Sequence, residues 1–461
     1  MSDPREVPLE LLDIEVRRAV EAARNWQESL DRLPFESAVA ASAPLARHRA
    51  IAGLSTFERL GTRTVLPHEA DLRDGVRRWV GALTVLRVTE PDRAEEAKLE
   101  GDERLHVRLE TVRATSFRAA CEGLVGAESV AEGSAWLAAM AEGASAVAAA
   151  RRERAVREEE VVGRLGHASF AELVGGTPHD VLDPHALSFL SETRDLARSL
   201  RKEAERRGGA DTAGVFSEVR ASVARDAREG WPARLTLRAL VETLRAPTDI
   251  GRGLRVHVAM PRALGAASFA VALERFGESY RRAAAEANRQ PYATSVPPWF
   301  VDAHRFGFVF GSLPTMPAYY VRGLGLSPQV AADQARALAR TALLHARTVA
   351  MTCLFARNAA RPSRSQHEEL TAEVFGQPIP TLLGAFPEPR DAAPRLQALL
   401  TTLPLLERLR DDFEEDWFRN PRAWQFLRIR ASEPISRSPS TETNDSPEPR
   451  RLARAFEKAL G

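Results

Sequence analysis

Residues Ser268 to Ala284 read SFAVALERFGESYRRAA. An apolar run leads into Glu274-Arg275-Phe276-Gly277-Glu278, which places two carboxylates four residues apart. On a helix, positions i and i+4 lie on one face about a turn apart. Glu274 and Glu278 therefore form a pair of oxygen donors on one side of a predicted helix. Arg275 follows the first of them, and a guanidinium that stays protonated cannot take a proton from water.

The spacing is that of His-Glu-x-x-His, in which two imidazoles hold one zinc and the intervening Glu acts as base. The motif itself is absent. The His-Glu pairs of the chain are His68-Glu69 and His367-Glu368, and neither has a histidine three places further on. Downstream, residues 302–313 read DAHRFGFVFGSL, with His304 near the start.

These segments resemble the gluzincin zinc oligopeptidases, the oligoendopeptidases, thimet oligopeptidase and their angiotensin-converting-enzyme-like relatives. In that family the helix with the third metal ligand runs Glu-x-x-Ala-x-x-Phe-x-x-Leu. On this chain His304 falls at the Glu, Gly307 at the Ala, Phe310 at the Phe and Leu313 at the Leu. Further matches follow in order: GRLGHASFAEL (163–173), ARTVAMTCLFARN (346–358) and RDDFEEDWFRNPRAWQFL (410–427). Together they cover most of residues 1–430. The resemblance implies an elongated all-α body split by a deep central channel, with a small β-sheet along one wall. It puts Glu274, Glu278 and His304 at the metal-ligand positions and Arg275 at the position of the lost base. The family's late oxyanion tyrosine would fall in PIPTLLGAF (378–386), which has none, and Tyr319 and Tyr320 lie elsewhere.

Composition narrows the classes. The chain has 461 residues, enough for a substantial core without staples. The formal net charge of +1 gives no global attraction to nucleic acid or anionic membrane. Lysine occurs three times, at 98, 202 and 458, so arginine supplies the other 61 basic residues, a bias that fits a GC-rich bacterial genome. Cys121 and Cys353 are expected to be free thiols rather than a disulfide. No secretory signal or apolar run of membrane-spanning length is visible, so a cytoplasmic protein is expected.

Helical periodicity dominates the chain. Helices are expected over 9–32 and over 134–165, the latter capped by Ser134 and stopping before Gly166. Gly253–Met260, GLRVHVAM, alternates and is the expected strand. The Gly-rich run Arg206–Gly214 suggests a division near 207, giving an N-terminal helical half over 1–206 and a peptidase-like half over 207–430. The Ser- and Pro-rich stretch 431–450 is expected to be disordered, and RLARAFEKALG after it to form a short helix, frayed or docking a partner. The tail is thus 431–461.

His345 and His367 are candidates to line the channel, Trp299 to anchor the turn before His304, and Trp417 and Trp424 to lie in the core. No nucleophile elbow, Walker lysine or Rossmann glycine pattern is present. No basic stripe interleaved with aromatics suggests nucleic acid.

Three functional readings fit these residues. The first is a pseudo-metallopeptidase, not an enzyme and needing no cofactor, that binds a peptide or protein partner in an oligopeptidase-like channel. The second is a metal-dependent hydrolase of altered chemistry, in which Glu274, Glu278 and His304 hold Zn, Mn or Fe. The third is an all-helical scaffold unrelated to peptidases.

Overall fold

A computed structural model describes residues 7–30, 42–109, 112–127, 129–208, 266–287, 290–379, 389–433 and 447–461. The described chain is predominantly helical. The N-terminal part holds α1 (Leu9–Leu30), α2 (Leu54–Thr62) and α3 (Ala70–Gly101), then the strands β1 (Leu105–Arg108) and β2 (Val112–Thr115). Next come α4 (Phe117–Gly126), α5 (Val130–Arg164), α6 (Phe170–Val174), α7 (His179–Glu192) and α8 (Arg194–Gly208). The later part holds α9 (Ala266–Ala287), α10 (Tyr292–Ser295), α11 (Val301–Gly311), α12 (Pro328–Ala356) and α13 (Arg364–Phe375). It ends with α14 (Pro389–Leu400), α15 (Leu403–Phe413), α16 (Pro421–Ser432) and α17 (Pro449–Leu460).

The all-α architecture with a small sheet is as expected, but the sheet's place is not. The described sheet is β1 antiparallel to β2, with Leu105 opposite Thr115 and Arg108 opposite Val112. It forms because β1 alternates buried Leu105 and Val107 with exposed His106 and Arg108, so one face packs on α4 and α5. The run 253–260 lies outside the described residues, as do most of 206–214, residues 380–386 of PIPTLLGAF, and 434–446 of the tail.

Local chemistry sets the helix ends. The helix expected from Ser134 starts earlier, at Val130, because the Ser129 hydroxyl accepts from the Glu132 backbone N–H at 3.1 Å. Ser134 then falls inside the helix. Gly166 after its end has φ 81°, a left-handed conformation that glycine adopts without strain. α12 opens on Ser327, whose hydroxyl accepts from the Val330 N–H, with Pro328 in the first turn.

Three apolar clusters position the site. The first joins α9, α11 and α16 through Phe276, Phe310, Trp417 and Trp424. Phe276 meets Phe310 edge-on at 5.1 Å between centroids, and Phe310 lies 5.6 Å from Trp424. Both tryptophans are core residues, as their spacing suggested. The second cluster ties α1, α2 and α3 to α10 and Phe300. Its polar fastener is Asp13, whose carboxylate accepts from the Tyr292 and Ala293 N–H groups at 2.8 and 2.7 Å. The third joins α7, α12, α14 and α17. The terminal helix is docked rather than frayed: Leu452 and Ala453 are buried, and Phe456 packs 6.4 Å from Phe189.

No described helix is long and apolar enough to cross a membrane. Cys121 and Cys353 are both free.

Candidate functional site

α9 and α11 cross with little room between their backbones. A Cβ at Gly277 would lie 2.3 Å from the Phe306 carbonyl oxygen, and one at Gly307 2.9 Å from Glu278 Cγ. Glycine at both positions permits this approach. It brings His304 of α11 to Glu278 of α9, with Nδ1 2.7 Å from Oε1.

Two further helices complete the cluster. α14 supplies Arg395, whose Nη2 donates to Glu274 Oε1 at 2.5 Å and whose Nη1 lies 3.9 Å from Glu278 Oε1. α12 supplies His345, with Nε2 3.6 Å from Glu274 Oε2 and 3.4 Å from Arg395 Nη2. The Glu274 side chain is 15% exposed and that of His304 8%, so water screens these contacts weakly.

The charges support one another. Burial opposes ionisation of Glu274, but the Arg395 guanidinium, helped by His345, outweighs it and holds the carboxyl far below the usual range. Burial likewise opposes ionisation of Glu278, and His304 and Arg395 overcome it, so this carboxyl is also lowered. In return, Glu274 and Glu278 overcome the burial of Arg395 and strengthen its hold on its proton.

Glu274, Glu278 and His304, distant in the chain, thus stand in one cluster. As arranged they do not fit a metal ion. Glu274 Oε1 is taken by a guanidinium, Glu278 Oε1 by the imidazole Nδ1, and the fixed charge of Arg395 would repel a divalent cation. Arg275 is exposed. Tyr319 and Tyr320 are buried in the first apolar cluster, and the Tyr320 O–H donates to the Pro314 carbonyl at 2.6 Å. His367 is buried, its Nε2 3.1 Å from the Ile379 carbonyl, so it braces the turn after α13.

A cavity opens on either side of the cluster. One, of about 420 Å³, is walled largely by apolar groups, among them Phe308, Leu403 and Phe456, with Glu274 and His345 at its polar edge. The other, of about 250 Å³, is lined by His304, Trp79, Trp299, Phe300, Arg282 and Arg390. Trp299 sits in the turn before α11 as expected, and its Nε1 lies 3.4 Å from Gln397 Oε1. Arg282 stacks 5.3 Å over the Phe300 ring, with the Glu278 and Asp391 carboxylates close enough to favour its charge.

Arg395 is the member that sequence reasoning missed. It lies 121 residues from Glu274 in PRLQALL, which carries no motif. A pairing of the two glutamates with an arginine of their own helix (Arg275, Arg281 or Arg282) or of a neighbouring helix is readable from the sequence, but which residue of the neighbour is not.

No protein-family model matches the chain, and no curated protein matches it in sequence. In fold it is similar to a solved structure from Bacillus anthracis str. Ames, described as an oligoendopeptidase F, with TM-score 0.56 and 11% identity. The match covers 100% of this chain and 96% of that one. The chain therefore shares the helical fold of that oligoendopeptidase over its whole length.

Proposed function

We propose that this protein is a non-hydrolytic relative of the helical oligopeptidases that binds a peptide, or an extended segment of a partner protein, in the cavities flanking the Glu274–Arg395–Glu278–His304 cluster. The observation that carries the reading is Arg395. Its guanidinium pairs with Glu274 and reaches Glu278, which also holds His304, so the cluster is stable without a metal. Arg275 at the base position adds to it, since it has no basic lone pair to offer water.

The two cavities suggest how a peptide would lie. The apolar one suits a hydrophobic side chain. The other presents the guanidinium groups of Arg282 and Arg390 beside tryptophans, and suits a peptide carboxylate.

Isothermal titration with a mixed pool of short apolar peptides tests this, each supplied as free acid and as amide. Saturable binding is expected, weaker for the amides, and weaker for free acids with Arg282→Gln. Absence of binding to any peptide, or equal binding of acid and amide unaffected by Arg282→Gln, would contradict the reading.

A further inference from the structure

A second polar cluster lies away from these cavities, where α7 meets α12. His179 and Asp183 stand four residues apart on α7 and share a face. Cys353 of α12 lies against that face. His179 Nδ1 is 3.8 Å from Cys353 Sγ and 3.9 Å from Asp183 Oδ1. The three donor atoms all lie within 4.8 Å of one another.

Bond lengths of about 2.3 Å to sulfur and 2.0–2.2 Å to nitrogen or oxygen place the donors of a tetrahedral zinc about 3.4–3.6 Å apart. The two spacings to His179 are only slightly wider. Small rotamer adjustments would close them.

An independent observation points to a missing partner. Asp183 is 7% exposed, and its Oδ1 is buried without a hydrogen bond. Its Oδ2 accepts from Arg357 Nη1 at 2.9 Å. A buried carboxylate oxygen left without a donor is costly. Oδ1 faces His179, and the fully buried Cys353 has that same imidazole at 3.8 Å with the Asp183 carboxylate beside it.

We propose that His179, Asp183 and Cys353 form a binding site for a zinc-class divalent cation, with its fourth position open to water or to a donor from a ligand. The mixed sulfur, nitrogen and oxygen set favours a borderline-soft ion over magnesium or calcium. On binding, the Cys353 thiol loses its proton to solvent and its sulfur bonds the metal. Arg357 keeps its hold on Oδ2 and so orients Oδ1 toward the ion. His179, with a side chain 22% exposed, marks the approach from solvent. The ion would pin α7 to α12, independently of any peptide in the cavities.

Untagged, chelator-treated protein titrated with Co²⁺ tests the site through its thiolate-to-cobalt charge-transfer absorption, with Zn²⁺ affinity read by competition against a chromogenic chelator. One equivalent is expected. The charge-transfer band should vanish in Cys353→Ser and survive in Cys121→Ser. His179→Ala and Asp183→Asn should each bind Zn²⁺ at least about tenfold more weakly. If Cys353→Ser does not fold by circular dichroism, His179→Ala, at the partly exposed position, decides the question in its place. No thiolate band in the wild type, a band that survives Cys353→Ser, or wild-type Zn²⁺ affinity in His179→Ala would overturn the proposal. So would uptake that depends on His304 instead.

Discussion

Arg395 Nη2 lies 2.5 Å from Glu274 Oε1, on a helix 121 residues further along the chain. This contact closes a charge network with Glu278, His304 and His345. The cost of burying each carboxylate is offset by a partner that is itself buried, so the members stand or fall together.

Removing Arg395 should therefore cost more than an ordinary surface pair. Arg395→Gln leaves the buried Glu274 carboxylate without its guanidinium, and a loss of about 3–5 kcal/mol is expected from chemical denaturation. The effect has a defined pH dependence. Both glutamates titrate below their unfolded values, so the stability they contribute is complete above about pH 4.5 and is lost as pH falls through the folded values. The gap between wild type and Arg395→Gln should be full near neutrality and shrink as pH falls below about 4.5, where the unfolded chain protonates these carboxyls before the folded one does. A gap that is constant from pH 7 to pH 3 would contradict this assignment.

Glycine-to-alanine substitutions should have opposite signs at two helical positions. Gly163 in α5 has open space around it, and Gly163→Ala should stabilise by about 0.5–1 kcal/mol through helix propensity. At Gly277 the new methyl would meet the Phe306 carbonyl oxygen, which is backbone and cannot swing away. Gly277→Ala should destabilise by about 1–3 kcal/mol or more, and should part His304 from Glu278. Thermal melts of the two variants give the comparison directly.

A second buried network sits between α3 and α5. Glu96, 1% exposed, accepts from Arg151 Nε at 2.7 Å and from Arg154 Nε at 2.8 Å, and Arg154 also reaches Glu158. Glu96→Ala removes the carboxylate that Arg151 and Arg154 share and leaves them with Glu100 and Glu158, so it should cost about 1–3 kcal/mol in denaturant unfolding. A change under about 1 kcal/mol, the range of exposed pairs, would show that the network is not desolvated as described.

The helices were legible where local chemistry decides them. Apolar periodicity marked α1 and the amphipathic run RLARAFEKALG marked α17, and the i,i+4 spacing put Glu274 and Glu278 on one face. Ser129 was missed as the cap of α5 because a second serine, Ser134, lies five residues on and both precede apolar runs. β1 and β2 were missed because four-residue strands are too short for alternation to stand out from noise. At the site, His304 could be placed beside the glutamates only by likeness to a known helix pair. Arg395 could not be placed at all, since its pairing depends on how α14 packs across α9, a relation no local pattern carries.

The central claim is that Arg395 stands in for a metal and that peptide cleavage is absent. Its most direct test is hydrolysis of a mixed set of quenched fluorogenic peptides by purified protein, with Zn²⁺, Mn²⁺ or Co²⁺ added and with EDTA as control. The account predicts no turnover above the EDTA control with any of the three metals, in wild type and His304→Ala alike. Metal-dependent cleavage by the wild type that EDTA abolishes and His304→Ala removes would contradict it.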